Sequence, residues 1–291
     1  MTRDRVNRTI GYFTTKAGYT IEYSIVGKGE PLLMMHGGHS NCREELGYRE
    51  FYEHGYSVIT PSRPGYGKTS KELGENLSVA CDAYKELLDH LCIDQVHLIA
   101  ISAGGPSGIN FVTSYPQQVR SLVLQSAVTR RWLTPADKLY KSAQIMFNPS
   151  LEKYVWAMMR TMNYFFPKLI FKSMIGSFSQ LPTSEVLNQT NEHDLEQFSN
   201  MLKDQRSGHG FLIDLVQTGK QLDHELSAIR CPTLNMHSIH DASVPIDHAR
   251  FAHEVILSSQ LCELNSWGHL IWLGEDSAEM YRKLFVFLDK H

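Results

Sequence analysis

Three residue types that together activate a hydroxyl group occur in this 291-residue sequence in the order serine, aspartate, histidine. Ser102 follows the apolar run 96–101 and precedes Ala103-Gly104-Gly105. A serine hydroxyl is a weak nucleophile until a base removes its proton. The imidazole of His269 suits the role of that base, and Asp241 would hold its tautomer and stabilise the imidazolium that forms. The sequence therefore predicts a catalytic set of Ser102, Asp241 and His269.

The residues around Ser102 predict a sharp turn from a strand into a helix. Small residues, Ala100 and Gly104, stand two positions before and two positions after the serine. A serine on such a turn has a strained backbone, and its neighbours come too close for large side chains. The N-terminus of the following helix would direct free N–H groups at a developing oxyanion. Read alone, the segment also fits a glycine-rich turn in which Ser102 only caps the helix.

A second group of small residues, His36-Gly37-Gly38, follows a short strand predicted over Pro31–Met35. Glycine lets the backbone approach a substrate oxygen because it has no Cβ. We therefore predict an oxyanion hole formed by the N–H groups of Gly38 and Ala103. An ordinary turn at the end of a strand is the alternative interpretation of this segment.

The acid and the base of the predicted set each follow a strand in the second half of the chain. Asp241 lies just past a strand predicted over Pro232–Met236, and His269 lies just past the last predicted strand. A loop carboxylate in this position can reach a histidine at the end of a neighbouring strand. Asp247 is a rival carboxylate, but it is predicted to begin the helix that follows Pro245.

The sequence argues against two other kinds of site. His237, His240, Asp241 and His269 carry metal-ligand chemistry, but two histidines three apart on a loop have no fixed common face. Gly67-Lys68-Thr69 is similar to the end of a phosphate-binding loop, but that pattern requires glycine where Ser62 stands. The sequence therefore predicts neither a metal, nor a nucleotide, nor any other cofactor.

Short apolar strands alternate with helices along most of the chain, which indicates a parallel sheet covered on both faces. Among these elements are a helix over Leu77–Cys92 and a strand over Val96–Ile101. From Thr129 to about Gly219 the chain becomes rich in Met and aromatic residues with helical spacing. We therefore predict an α/β core formed by residues 1–128 and 220–291, with a helical insert at 129–219.

Composition excludes several classes of protein. The net charge of −3 gives no basic excess for nucleic acid. The longest apolar stretches are too short to span a membrane, and no apolar run follows the charged N-terminus as in a secretory signal. Five scattered cysteines favour reduced thiols over a disulfide framework. These features predict a cytoplasmic protein, and they leave homo-oligomerisation open.

Five segments, taken together and in order, resemble the α/β-hydrolase superfamily. They are HGG at 36–38, SRPGYGKTS at 62–70, AISAGG at 100–105, HDASVP at 240–245 and WGH at 267–269. The 62–70 segment is similar to the superfamily's D-x-P-G-x-G-x-S loop, with Ser62 in the aspartate position. The resemblance implies an eight-stranded, mostly parallel sheet with a helical cap at 129–219 and a pocket between core and cap.

The predicted activity is acyl transfer to water through an acyl-enzyme on Ser102, acting on a carboxylic ester of modest size with an apolar portion. Related hydrolases cleave carbon–carbon bonds in ring-fission products with the same residue set. Prolyl aminopeptidases resemble the chain at HGG but continue with Pro-Gly, where His39-Ser40 stands here. A ligand-binding protein and a cofactor-free lyase or oxygenase on the same scaffold remain as alternatives outside hydrolysis.

Overall fold

The computed structural model describes residues 6–45 and 47–291 and contains an eight-stranded sheet. Its strand order is β1-β2-β4-β3-β5-β6-β7-β8. β2 runs antiparallel to β1 and β4, whereas all the other neighbouring pairs are parallel. The prediction of an eight-stranded, mostly parallel sheet is therefore confirmed. The strands are β1 (Arg8–Thr14), β2 (Thr20–Val26), β3 (Glu30–Met35), β4 (Tyr56–Pro61), β5 (Val96–Ile101), β6 (Val119–Gln125), β7 (Thr233–Ser238) and β8 (Ser259–Leu264).

Helices connect the strands and cover the sheet. Within the described residues they are α1 (Tyr48–Glu53), α2 (Leu77–His90), α3 (Gly105–Ser114), α4 (Lys138–Met146), α5 (Glu152–Phe165), α6 (Pro167–Phe178), α7 (Thr183–Gln189), α8 (Glu192–Asp204), α9 (Gly210–Gln217), α10 (Asp223–Ala228), α11 (Asp247–Val255) and α12 (Ser277–Leu288).

The alternating direction of the apolar side chains along the central strands explains why both faces of the sheet are covered. In β3, Leu32 and Met34 pack into a cluster with α1 and α12. Their neighbours Leu33 and Met35 pack on the opposite face, against α2 and α3. Because successive side chains of a strand point to opposite faces, a strand apolar at every position must be buried on both.

The region between β6 and β7 is helical, and α4–α9 fall within the predicted insert. These six helices are 7 to 14 residues long. Pro167 is the first residue of α6, and Pro182 immediately precedes α7. Proline fits a helix start because its missing N–H would have no helical partner there. The division at 129–219 itself stays a prediction.

Some local features differ from the expectations. α1 has no counterpart among the predicted elements, and α2 ends two residues earlier than the pattern indicated. All five cysteines are free, as expected, and Cys92 is exposed. Among the described residues, none of the helices combines the length and the apolar character that crossing a membrane requires.

Candidate active site

Ser102 begins a short 3-10 turn between the end of β5 and the start of α3. Its φ of 51° is positive, which is strained for a residue with a side chain. The small neighbours are required by close backbone contacts. A Cβ on Gly104 would lie 2.4 Å from the Met35 carbonyl oxygen, and one on Gly108 would lie 2.6 Å from Ala100 Cβ. The observed turn is thus the sharp strand-to-helix turn predicted around Ser102.

The segment His36-Gly37-Gly38 lies directly against this turn. A Cβ on Gly37 would be 3.2 Å from Ser102 Cβ, and one on Gly38 would be 3.8 Å from Ala103 Cβ. The structure therefore brings Gly38 and Ala103 to neighbouring positions beside Ser102. Their role as oxyanion donors stays a prediction, and this arrangement supports it.

Asp241 and His269 form a buried hydrogen-bonded pair. His269 Nδ1 lies 2.6 Å from Asp241 Oδ2, and the other carboxylate oxygen accepts from the backbone N–H groups of Ser243 and Val244 at 2.8 and 2.9 Å. Burial by itself would raise the pKa of Asp241. The nearby His269 and hydrogen bonds from His237 and His269 outweigh burial and hold that pKa well below its usual range. Asp241 is therefore a carboxylate aimed at one nitrogen of His269.

A second histidine contacts the same carboxylate. His237 Nε2 lies 3.1 Å from Asp241 Oδ2 and 2.8 Å from the Val244 carbonyl oxygen. The side chain of His237 is fully buried, near the end of β7. Sequence reasoning considered His237 only as a metal ligand and missed this contact. The available signal was its position four residues before Asp241.

One short loop connects the serine and histidine parts of the site. Ser126 Oγ donates to the His269 carbonyl oxygen at 3.0 Å, and Val128 N–H donates to the Ser102 carbonyl oxygen at 2.9 Å. Ser126, like Ser102, has a positive φ. No hydrogen bond between Ser102 Oγ and His269 occurs within the described part of the chain. Catalytic hydrogen bonds of this kind are often long before substrate binds.

The end of α6 forms part of the site's framework. The Phe178 carbonyl oxygen accepts from the backbone N–H groups of His269 and Ala242, at 2.9 and 3.2 Å. Two residues later, Gln180 Nε2 donates to the Asp241 carbonyl oxygen at 2.8 Å. A Cβ on Gly268 would lie 2.3 Å from the Phe178 oxygen. These residues of the predicted insert thus hold the loops that carry Asp241 and His269.

A buried ion pair joins the 62–70 loop to α9. Arg63 donates from both terminal nitrogens to the Asp214 carboxylate, at 2.5 and 2.7 Å. It also donates to the carbonyl oxygens of His36 and Gly37. Burial disfavours the charge on Arg63, but Asp214 outweighs it and holds the pKa of Arg63 above its usual value. Arg63 therefore holds the backbone of His36 and Gly37, which lies beside Ser102.

An aromatic wall stands next to Gly38. The His39 ring stacks on Phe211 with 3.9 Å between centroids, and the rings of Phe147 and Trp156 lie within 5.3 Å of it. His39 Nδ1 is 2.8 Å from Ser207 Oγ. Burial is the main cause that lowers the pKa of His39 to about 3, so the ring is neutral near pH 7. Phe211 also approaches Gly38, which places this apolar wall beside the predicted oxyanion hole.

Asp247 and the 62–70 loop make structural contacts. Asp247 begins α11 and lies 3.9 Å from Arg250, so Asp241 and not Asp247 is the partner of His269. Ser62 Oγ accepts from the Cys42 N–H and donates to Glu22. The Lys68 N–H donates to the Glu22 carboxylate, and the Thr69 N–H donates to the Tyr66 carbonyl oxygen. These contacts fix the loop against the sheet.

Comparison with known proteins agrees with this geometry. Residues 30–276 match the family described as the alpha/beta hydrolase fold. An uncharacterised hydrolase of Bacillus subtilis, YcgS, is 54% identical over 272 residues, covering 94% of this chain and 96% of that protein. A 2-hydroxy-6-oxononadienedioate/2-hydroxy-6-oxononatrienedioate hydrolase of Paraburkholderia phymatum is 27% identical, covering 91% and 89%.

The solved structures give the same assignment at the level of the fold. An alpha/beta hydrolase fold protein from Nakamurella multipartita superimposes with a TM-score of 0.81 at 24% identity, covering 96% of this chain and 99% of that one. The match to the family spans most of the chain, and the sheet has the strand order described above. The protein therefore belongs to the α/β-hydrolase family and is a hydrolase of that fold.

Proposed function

We propose that the protein hydrolyses small carboxylic esters through an acyl-enzyme on Ser102. His269 removes the Ser102 proton as the hydroxyl oxygen attacks the carbonyl carbon, and the N–H groups of Gly38 and Ala103 bind the oxyanion. His269 then gives the proton to the departing alkoxide. In the second half, His269 activates water, which releases the acid and restores Ser102.

The observation that carries this proposal is the 2.6 Å contact between His269 and the ionised Asp241, in a framework shared with Ser102. The carboxylate holds the proton on Nδ1 of His269, which leaves Nε2 free to act as the base. Four hydrogen-bonding atoms converge on Asp241, so its orientation is fixed before substrate arrives. Such preorganisation is what acyl transfer requires of this residue.

The aromatic wall supports a substrate with a flat or apolar portion. His39, Phe147 and Phe211 present uncharged rings close to Gly38. Two arginines of this region are paired with carboxylates, Arg63 with Asp214 and Arg206 with Glu152. The wall therefore favours apolar groups over charged ones on the side of His39.

A fluorophosphonate probe with intact-mass detection tests the nucleophile. We expect one adduct on the wild type and none on Ser102→Ala, because only an activated serine reacts with this probe. Ser227→Ala, a change at an exposed serine of α10, serves as the matched control and should label like the wild type. Equal labelling of wild type and Ser102→Ala would refute the assignment, as would the absence of an adduct on wild type that hydrolyses esters.

Hydrolysis of a carbon–carbon bond in a ring-fission product is the second candidate. The relative from Paraburkholderia phymatum, which aligns over nine-tenths of the chain, is named as a 2-hydroxy-6-oxononadienedioate hydrolase. A ring-fission dienoate and a set of short-chain aryl esters, assayed side by side, separate the two candidates. A kcat/KM for the dienoate at least a hundredfold above that for the best ester would replace the ester proposal with this one.

A further inference from the structure

Helix α5 carries a stripe of apolar residues on its solvent side. Tyr154, Met158, Met162 and Phe165 recur at intervals of four, four and three residues, and all four are exposed. On the inner side, Glu152, Trp156 and Asn163 are buried. A surface helix normally presents polar residues on its solvent side. The outer stripe of α5 is therefore an apolar face that packing within this chain does not explain.

The apolar face continues across the bend into α6. Tyr164 and Phe165 are 79% and 65% exposed, and their rings touch edge to face with 5.0 Å between centroids. Phe166 and Leu169 extend the face onto the first turn of α6 and are also mostly exposed. Single exposed apolar residues are ordinary, whereas a contiguous group of this kind marks a surface that binds something.

The helical segment that forms this face carries only positive charge. Residues 153–174 carry four cationic side chains and no carboxylate, although the whole chain has a net charge of −3. Lys153 lies over the Tyr154 ring at 4.9 Å, and Lys172 is exposed on α6. Lys168 is also exposed, where it pairs with Glu192 of α8. Aromatic residues bordered by lysines form a surface suited to the interface of a membrane that carries negative lipids.

A second copy of the chain fits this face less well. In a symmetric dimer the same patch meets itself, so Lys153 and Lys172 of one copy would approach those of the other. Within residues 153–174 no carboxylate offsets that repulsion, and the neighbouring Glu192 of α8 is already paired with Lys168. A sheet of lipid phosphates offers the opposite charge at the border and an apolar region beneath it.

We propose that this face, formed by Tyr154, Met158, Tyr164, Phe165, Phe166 and Leu169, docks on an anionic lipid surface. The aromatic rings enter the headgroup region, and the lysines contact the lipid phosphates. The contact is separate from the chemistry proposed for Ser102, because Phe178, which bonds to the loops of the site, is at the opposite end of α6. At 1.5 Å per residue, the 12 residues of α6 separate the two ends by about 18 Å.

Co-sedimentation with vesicles tests the proposal directly. The full-length protein is mixed with vesicles of phosphatidylcholine alone or of phosphatidylcholine with phosphatidylglycerol, at low and high salt. We expect binding to the phosphatidylglycerol vesicles only, weakened by salt. The double variant Phe165→Ser/Phe166→Ser should lose at least about tenfold in partition coefficient. Lys153→Glu/Lys172→Glu should lose at least about twentyfold, since each lysine near such a surface contributes roughly a factor of five.

Leu257→Ser provides the matched control, because Leu257 is 88% exposed in the loop between α11 and β8. It should bind vesicles like the wild type. Circular dichroism and light scattering of every variant report folding and mass. The proposal is overturned if wild type does not bind anionic vesicles at low salt, or if the face variants bind as well as Leu257→Ser. A wild-type dimer that these variants dissociate, without vesicle binding, would assign the face to a second copy. None of these readouts depends on activity, so the ester proposal stands or falls separately.

Discussion

At the scale of single residues, the site is a set of side chains whose charges are fixed by their neighbours. Asp241 is ionised because His269, His237 and two backbone N–H groups outweigh the cost of its burial. His39 is neutral for the opposite reason, since burial among aromatic rings dominates its surroundings. The same physical cost thus has different outcomes at two positions of the structure, depending on the partners available.

Replacing Asp241 by asparagine should lower kcat by about ten-thousandfold with little change in the fold at neutral pH. Asparagine keeps the shape but does not hold His269 in the tautomer that serves as base. Steady-state kinetics on the best ester of the panel measures this loss. Asp247→Asn is the control and should retain activity, because Asp247 lies on the surface near Arg250. A loss below about tenfold in Asp241→Asn would contradict the role assigned to this carboxylate.

The same variant has an expected pH signature. The pKa of Asp241 is lower in the folded protein than the value of about 4 in an unfolded chain. Its ionised form therefore stabilises the fold above about pH 4, and this contribution is lost as pH falls below that value. In urea unfolding, wild type should exceed Asp241→Asn in stability by more at pH 7 than at pH 3. An equal difference at both pH values would argue against the depressed pKa.

At the scale of secondary-structure elements, the site depends on how α6 and α9 meet the loops of the sheet. Gly268→Ala should reduce kcat by more than tenfold, because a Cβ there would lie 2.3 Å from the Phe178 carbonyl oxygen and would displace the loop of His269. Gly176→Ala is the matched control in α6, where nothing lies within 4 Å of an added Cβ. It should keep full activity and stabilise the protein by about 0.5–1 kcal/mol. Comparable kinetics for the two variants would contradict the contact.

The ion pair between Arg63 and Asp214 belongs to the same scale. Asp214→Ala should destabilise the protein by about 3–5 kcal/mol, because it leaves the Arg63 charge buried without its partner. The double variant Arg63→Met/Asp214→Leu removes both charges and should cost less than Asp214→Ala alone. Chemical unfolding of the single and double variants measures these differences. A double variant less stable than Asp214→Ala would show that the pair is favourable in itself.

Local patterns in the sequence were sufficient for the elements that follow simple periodicity. β5 has the predicted bounds, and strands alternate with helices on both sides of the insert as expected. The contacts of Phe178 and Asp214 with the site were not predictable in this way. They join residues separated by tens of positions along the chain, and neither residue has a local motif. α1 was missed because six residues are too few to show a helical period.

At the scale of the whole molecule, a buried acid sets part of the pH dependence of folding. Burial is the main cause that raises the pKa of Glu44 to about 8, far above its value in an unfolded chain. Between about pH 4 and pH 8 the folded state holds the proton more tightly than the unfolded state does. The stability contributed by protonated Glu44 is therefore lost as pH rises through this window.

Glu44→Gln should remove that loss, because the amide keeps the shape of the protonated acid. We expect the variant to be more stable than wild type at pH 8 by on the order of 2 kcal/mol, with a much smaller difference at pH 4. Urea unfolding across this pH range measures it. Glu72→Gln, on an exposed short helix, is the control and should follow wild type throughout. A stability difference that does not vary with pH would refute the raised pKa.

The Phe178 carbonyl oxygen accepts hydrogen bonds from two loop N–H groups, and this limits how the protein can be re-engineered. Exchanging the whole 129–219 segment for that of another family member is an attractive way to transplant substrate preference. Such a chimera would discard the backbone atom that holds Ala242 and His269 in place. A functional graft must therefore keep Phe178-Ser179-Gln180 with the recipient and join the foreign helices outside it. The boundary useful for recombination is set by these hydrogen bonds and differs from the boundary visible in the sequence.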